Sequence, residues 1–277
     1  MADTDFLAQS YDSFAGVEDQ LKGDLDESLN PRGPGMLFDL VADRNLPSGA
    51  PVVDVGCGEG GPAVELAKRF AFTVSAIDPV PRHIQIAKDC IARQAADVPH
   101  PGSVSFEVAS AEHLPVETAG TDLIWCRDVL VHVEDLNQVY GEFRRVLKPG
   151  GHALVYQMFA TNLLEPREAE RLLPIMGCVP TSMDPVDTET AIAAAGLRID
   201  RRIVLGTEWG EYGQEHSGKA ARQLLHAARL LRDPELVIGP YGQANYDIAL
   251  GDCLWHVYRM IGKLSDRIYL LSAPPAD

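Results

Sequence analysis

From residue 51 to residue 159 the apolar positions follow two alternating rhythms. Short β-branched runs, each stopped by Gly, Pro or an acid, predict strands at Pro51–Gly56, Phe72–Asp78, Val104–Ser110, Thr121–Asp128 and His152–Phe159. Between them, apolar residues recur at three- and four-residue spacing and predict helices at Pro62–Phe70, Arg82–Ala95 and Leu136–Val146. Ile84, Ile86, Ala87 and Ile91 give the second of these helices its apolar stripe. Strands alternating with helices imply right-handed crossovers and a parallel sheet covered on both faces.

The flanks are less regular. Phe6–Ala15 and Met36–Ala42 predict helices separated by the LNPRGPG interruption, Leu29–Gly35. After residue 159 come helices at Asn162–Leu173 and Thr188–Ala195, a sixth strand at Leu197–Gly206 and a last strand at Asp266–Pro274. Gly196 is a C-terminal stop for the second of these helices. The stretch Thr207–Leu264 is too long for a plain loop and predicts helices at Lys219–Leu231 and Ala244–Met260. It reads either as a cap over an active site or as a packing or dimerisation appendage.

Charge narrows the partners. Against 40 Asp and Glu stand 24 Lys and Arg, a formal charge of −16. Broad nucleic-acid or anionic-membrane surfaces need clustered positive charge, so both are expected to be absent. No apolar run approaches the roughly 20 residues of a membrane span, and MADTDFLAQSYDSFAG lacks the apolar core of a signal peptide. Five scattered cysteines without a CxxC pair fit a reducing compartment, and the expectation is a cytoplasmic protein. His113, His216 and His256 form no pair at metal-ligand spacing, so no metal is expected.

The informative stretch is VVDVGCGEGG, Val52–Gly61. Its Gly56, Gly58 and Gly61 match a dinucleotide-binding turn, which by itself is a weak signal. Asp54, two residues before the turn, would repel a pyrophosphate and suits a ligand carrying an ammonium group.

With Asp54-Val55-Gly56-Cys57-Gly58-Glu59-Gly60, the acid Asp78 ending strand two, Ser110-Ala111-Glu112 after strand three, the strand-four run TDLIWCRDVLVHV and VLKPGG at Val146–Gly151, the chain resembles the class I S-adenosylmethionine-dependent methyltransferases, small-molecule branch. The resemblance covers roughly Pro51–Phe159. It implies an α/β fold: a seven-stranded, doubly wound, mostly parallel sheet whose last strand is antiparallel and lies beside the fifth. N-terminal helices (1–50) would cover the cofactor site, 51–206 with 265–277 would form the core, and 207–264 the helical insertion. The cofactor would be S-adenosylmethionine, released as S-adenosylhomocysteine. It implies cofactor contacts at Tyr11, Asp54, Gly56, Cys57, Gly58, Asp78, Pro79, Ser110, Ala111, Glu112, Arg127 and Asp128. Asp78 would accept hydrogen bonds from the ribose hydroxyls, Ser110–Glu112 would lie beside adenine, and Arg127 and Asp128 would lie near the methionyl portion. Tyr11 is either a contact of this kind or a helix-packing aromatic.

The methyl of a sulfonium is already electrophilic, so the protein mainly orients the acceptor and excludes water. His132, just past strand four, is either a general base (or acceptor-positioning group) or a packing residue. Met158, Trp209, Tyr212 and Tyr241 are candidate acceptor contacts, and the aromatics, with Tyr246 a weaker case, would equally serve the insertion's own core. The expected reaction is O-, N- or C-methylation of a small molecule in bacterial specialised metabolism. A homodimer is admitted. The alternatives are a cyclase or assembly protein that holds the same cofactor without methyl transfer, and, further off, an NAD-dependent oxidoreductase.

Overall fold

The β-branched run at 51–55 forms an interior strand, β1 (Pro51–Val55), in the computed structural model, which describes residues 4–94 and 101–275. Its alternate side chains serve two cores: Val53 and Val55 face one, Val52 the other. The chain then alternates through α4 (Gly61–Phe70), β2 (Thr73–Asp78), α5 (Pro81–Gln94), β3 (Ser103–Val108), β4 (Thr121–Arg127), α6 (Leu136–Val146) and β5 (Leu147–Ala160). Ala95, the last residue of the helix expected after strand two, lies outside the described residues. Strand order is β3-β2-β1-β4-β5-β7-β6, with β6 at Arg198–Gly206 and β7 at Leu264–Ser272. β7 runs antiparallel to both of its neighbours, β5 and β6. This is the expected doubly wound, seven-stranded α/β sheet. The order reverses between β1 and β4, and the crevice for a ligand opens at the carboxyl ends of those strands.

Helices cover both faces. On one, Tyr140 and Phe143 of α6 and Ile192 of α8 (Pro185–Ala194) are fully buried against Ile124, Val155 and Tyr269. On the other, Leu37 and Val41 of α3 (Met36–Ala42), Leu66 of α4 and Trp209 close over Trp125, Leu154 and Tyr156.

Local chemistry moved several boundaries. The helix expected from Asn162 starts at Pro166 as α7 (Pro166–Ile175), because Glu165 and Glu168 form a reciprocal capping box and Pro166 occupies the first turn. α8 starts at Pro185 because the Asp184 carboxylate caps the Val186 amide at 2.7 Å. The KPGG segment is not merely a loop: Leu147 already pairs with Thr121, and a bulge follows. A second N-terminal helix, α2 (Glu18–Asp26), follows α1 (Thr4–Ala15). The insertion holds four helices rather than two: α9 (Glu208–Ser217), α10 (Lys219–Arg232), α11 (Glu235–Tyr241) and α12 (Gln243–Met260). Among the described residues no helix is long and apolar enough to cross a membrane.

Candidate active site

The turn after β1 is built on backbone that side chains disfavour. Gly56, Gly58 and Gly60 have φ of 71°, 52° and 86°. A Cβ on Gly56 would drive into Val129, and one on Gly60 would sit 2.7 Å from the Phe106 ring. A Cβ on Gly58 would meet no protein atom within 4 Å, so the bare backbone there faces open space. That space is a cavity of about 620 Å³ between the ends of β1, β2 and β4.

Two carboxylates define its chemistry. Asp54, 1% exposed, lies beneath the turn; it takes a hydrogen bond from the Ala63 amide, but its Oδ2 has no partner. Burial is the main force on it and pushes its carboxyl up to about 7, while Arg127 pulls the other way. Asp78 lines the cavity and organises the turn, its Oδ2 accepting the Gly58 amide and its Oδ1 the Val80 amide, both at 2.9 Å. His83 Nδ1 approaches the same Oδ1 at 3.1 Å.

The opposite wall comes from the end of β4. Asp128 has a φ of 62°, a left-handed conformation that Asp tolerates better than most residues. Its surface opens on the cavity while protein atoms crowd its other sides. Burial raises its carboxyl above the ordinary range, against the pull of Arg259, Arg127 and His132. His132 stands on a short 3-10 turn, Leu130–His132, with Nδ1 2.9 Å from the Gly177 carbonyl. A carbonyl only accepts, so Nδ1 carries the proton and neutral His132 has its Nε2 lone pair free.

The structure brings together most residues singled out from the sequence. Gly56, Gly58, Asp78, Pro79, Ser110, Ala111, Glu112, Arg127, Asp128 and His132 all line the cavity. Asp54 and Cys57 are buried beneath it. Burial drives the Cys57 thiol far above its ordinary value, which leaves it no nucleophilic role.

Five residues are not brought there. Tyr11 is 75% exposed on α1, because that helix packs on nothing but α2 to any extent. The N-terminal helices expected to cover the cofactor contribute no residue to the cavity wall. Met158 is buried in an apolar cluster with Val131, Leu164 and Trp255, since it points away from the crevice. Tyr241 is 67% exposed on α11 and does not line this cavity. Trp209 and Tyr212 do line a cavity, but a second one, of about 270 Å³, which shares Arg127 with the first.

Sequence reasoning missed His83, whose place five residues after Asp78 was the available signal. It also missed Val80, Val129 and Val133, which had none beyond hydrophobicity. Among the described residues no group of three His, Cys, Asp or Glu could hold a metal ion.

Residues 53–155 match the methyltransferase domain model. The chain is 31% identical over 139 residues to methyltransferase GfsG of Streptomyces halstedii, covering 50% of this chain and 49% of that one. It is 32% identical over 161 residues to the 27-O-demethylrifamycin SV methyltransferase of Amycolatopsis mediterranei, covering 52% and 55%. The chain thus spans about half the length of these curated relatives. Among solved structures, the cyclase SpnF superposes with a TM-score of 0.66 at 22% identity, covering 98% of this chain and 96% of that one. Over residues 53–155 the chain is similar to the methyltransferase domain family, and that segment sits on a seven-stranded sheet of the methyltransferase α/β fold.

Proposed function

We propose that the protein transfers a methyl group from S-adenosylmethionine to a small molecule, in bacterial specialised metabolism. The observation that carries the reading is the unpartnered Oδ2 of buried Asp54 beneath the bare backbone of Gly58. A buried carboxylate oxygen without a donor is costly. An aminoacyl nucleoside offers an ammonium for it, a ribose for Asp78, and an outline that fills the space a Cβ at Gly58 would take. The residues present therefore fit the cofactor. When bound, it supplies a methyl on a sulfonium, which needs no further activation.

The chain's own residues then bind and orient. Asp78 presents its carboxylate to the ribose, with His83 as the group that must yield some of it. Ser110 and Glu112 flank the base. Arg127 and Asp128 bound the region where the methyl faces the acceptor. His132, its proton fixed on Nδ1, presents Nε2 as a base for an acceptor hydroxyl or ammonium proton. The relatives' names, among them a 27-O-demethylrifamycin SV methyltransferase, support a small-molecule acceptor.

The test is calorimetric titration with S-adenosylhomocysteine, with NADH as control, followed by an assay for S-adenosylhomocysteine release with candidate acceptors. Binding of the first alone is expected; binding of NADH in its place overturns the reading. A second reading keeps the cofactor and drops the transfer, because the same fold serves a cyclase. Cofactor binding with turnover of a polyene but no S-adenosylhomocysteine release would favour it.

A further inference from the structure

The second cavity has a chemistry of its own. It lies between α9, the start of α10 and the end of α12. In a chain of formal charge −16, its wall holds Arg127, Lys219, Arg259 and His256 and, among the described residues, no carboxylate.

These cations differ in how they are compensated. Arg259 is fixed from behind: its Nε donates to Asp266 Oδ2 at 2.7 Å and its Nη2 to the Tyr156 hydroxyl at 2.7 Å. Asp266 itself is fully buried. Arg127 and Lys219, among the described residues, have no carboxylate within 4.0 Å. Asp128, on the side of the first cavity, acts on Arg127 and Arg259 through space. Asp252 lies 3.8 Å from His256. Burial, then the positive field of Lys219, holds His256 below its ordinary value. Arg127 also acts on Asp54 through space, but none of these carboxylates lines the second cavity, whose ionisable wall groups, apart from the Tyr212 phenol, are all basic.

Two neutral features point the same way. Trp209 is 6% exposed, and its indole N–H has no acceptor. Its ring lies within 5.6 Å of the Arg127 guanidinium carbon and 5.4 Å of that of Arg259. α10, of 14 residues, begins at this wall; Gln214 accepts the Ala221 amide at 2.8 Å, but the Lys219 and Ala220 amides have no partner within the helix.

We propose that this cavity binds a carboxylate of the methyl acceptor, recognised by Arg127 and Lys219 beside the fixed Arg259. The Trp209 and Tyr212 rings flank the apolar part of the same molecule. Arg127, which lines both cavities, ties the anchored end to the crevice where the methyl is delivered. This rests on the methyl-transfer reading and names the acceptor class for it.

The probes are benzoate and its uncharged analogue benzamide, titrated into the protein saturated with S-adenosylhomocysteine and followed by saturation-transfer NMR. Benzoate should bind and benzamide should not. Lys219→Gln should weaken benzoate about tenfold and leave S-adenosylhomocysteine affinity unchanged; Lys219→Arg should restore most of the loss. Equal binding of the two probes, no binding of benzoate, or full benzoate affinity in Lys219→Gln overturns the proposal. Displacement of benzoate by an equal concentration of inorganic phosphate overturns the carboxylate assignment in favour of a phosphate. Calorimetry on the same sample separates the two readings: failure to bind S-adenosylhomocysteine sinks the methyl-transfer reading, whereas cofactor binding without benzoate binding sinks this one alone.

Discussion

Asp54 is held where a charge is expensive, and that expense is the cofactor's opportunity. Its carboxyl, raised to about 7, binds its proton more tightly in the folded chain than in the unfolded one. The stability this contributes is full below the unfolded value near 4 and is lost as pH rises through about 7. Asp54→Asn should therefore stabilise the ligand-free protein at pH 8, by on the order of 1–3 kcal/mol in urea unfolding, and weaken S-adenosylhomocysteine binding in calorimetry. Asp78→Ala should weaken the same binding at least tenfold, because it removes the ribose acceptor and also the ties to Gly58 and Val80. Wild-type affinity in that variant would remove Asp78 from the site. His132→Ala should lower kcat more than it raises KM, leaving cofactor affinity intact. The meeting of Asp54, Asp78 and Gly58 at one turn could be read from the sequence, because a strand, a glycine turn and the acid ending the next strand are each marked locally. His132 could be named but not oriented, since its partner Gly177 lies 45 residues away.

At the scale of elements, α9 shows where pattern reading stops. Gly210 and Gly213 lower its helix propensity, so its sequence reads as loop. Gly210 has a tertiary setting: a Cβ there would lie 2.5 Å from Met260 Sδ, so this helix comes close to α12 and a side chain at 210 would force Met260 to shift. The close approach seats Trp209 over Tyr156, ring centroids 4.2 Å apart. Trp209→Ala should cost about 3–5 kcal/mol in denaturant unfolding. α1 and α2 are the contrast. α2 buries none of its residues, and Phe6, Tyr11, Phe14 and Leu25 are exposed. Deleting residues 1–26 should change the unfolding free energy by less than about 0.5 kcal/mol. A larger loss would mean that these helices pack on the body in solution. The regular strand–helix units could be read because each is decided by local periodicity. Within the insertion α10 and α12 could be read in the same way, whereas α9 and α11 could not, because glycines interrupt the first and Pro240 lies inside the second.

Over the whole molecule, charge is gathered unevenly. The chain as a whole is acidic, while the wall of the second cavity gathers Arg127, Lys219 and Arg259. No local pattern announces that cluster, since its members come from β4, α10 and α12 and meet only when the insertion folds back. The sheet order adds a consequence in time. β7 is joined to both β5 and β6, yet it follows β6 only after residues 207–263. A ribosome therefore delivers β5 and β6 as strands with open edges, and both stay open until the whole insertion has been translated. Such edges invite pairing with other chains. The four helices are thus made during the interval of greatest exposure, and a pause in translation within 207–263 should raise aggregation more than a pause anywhere before β5.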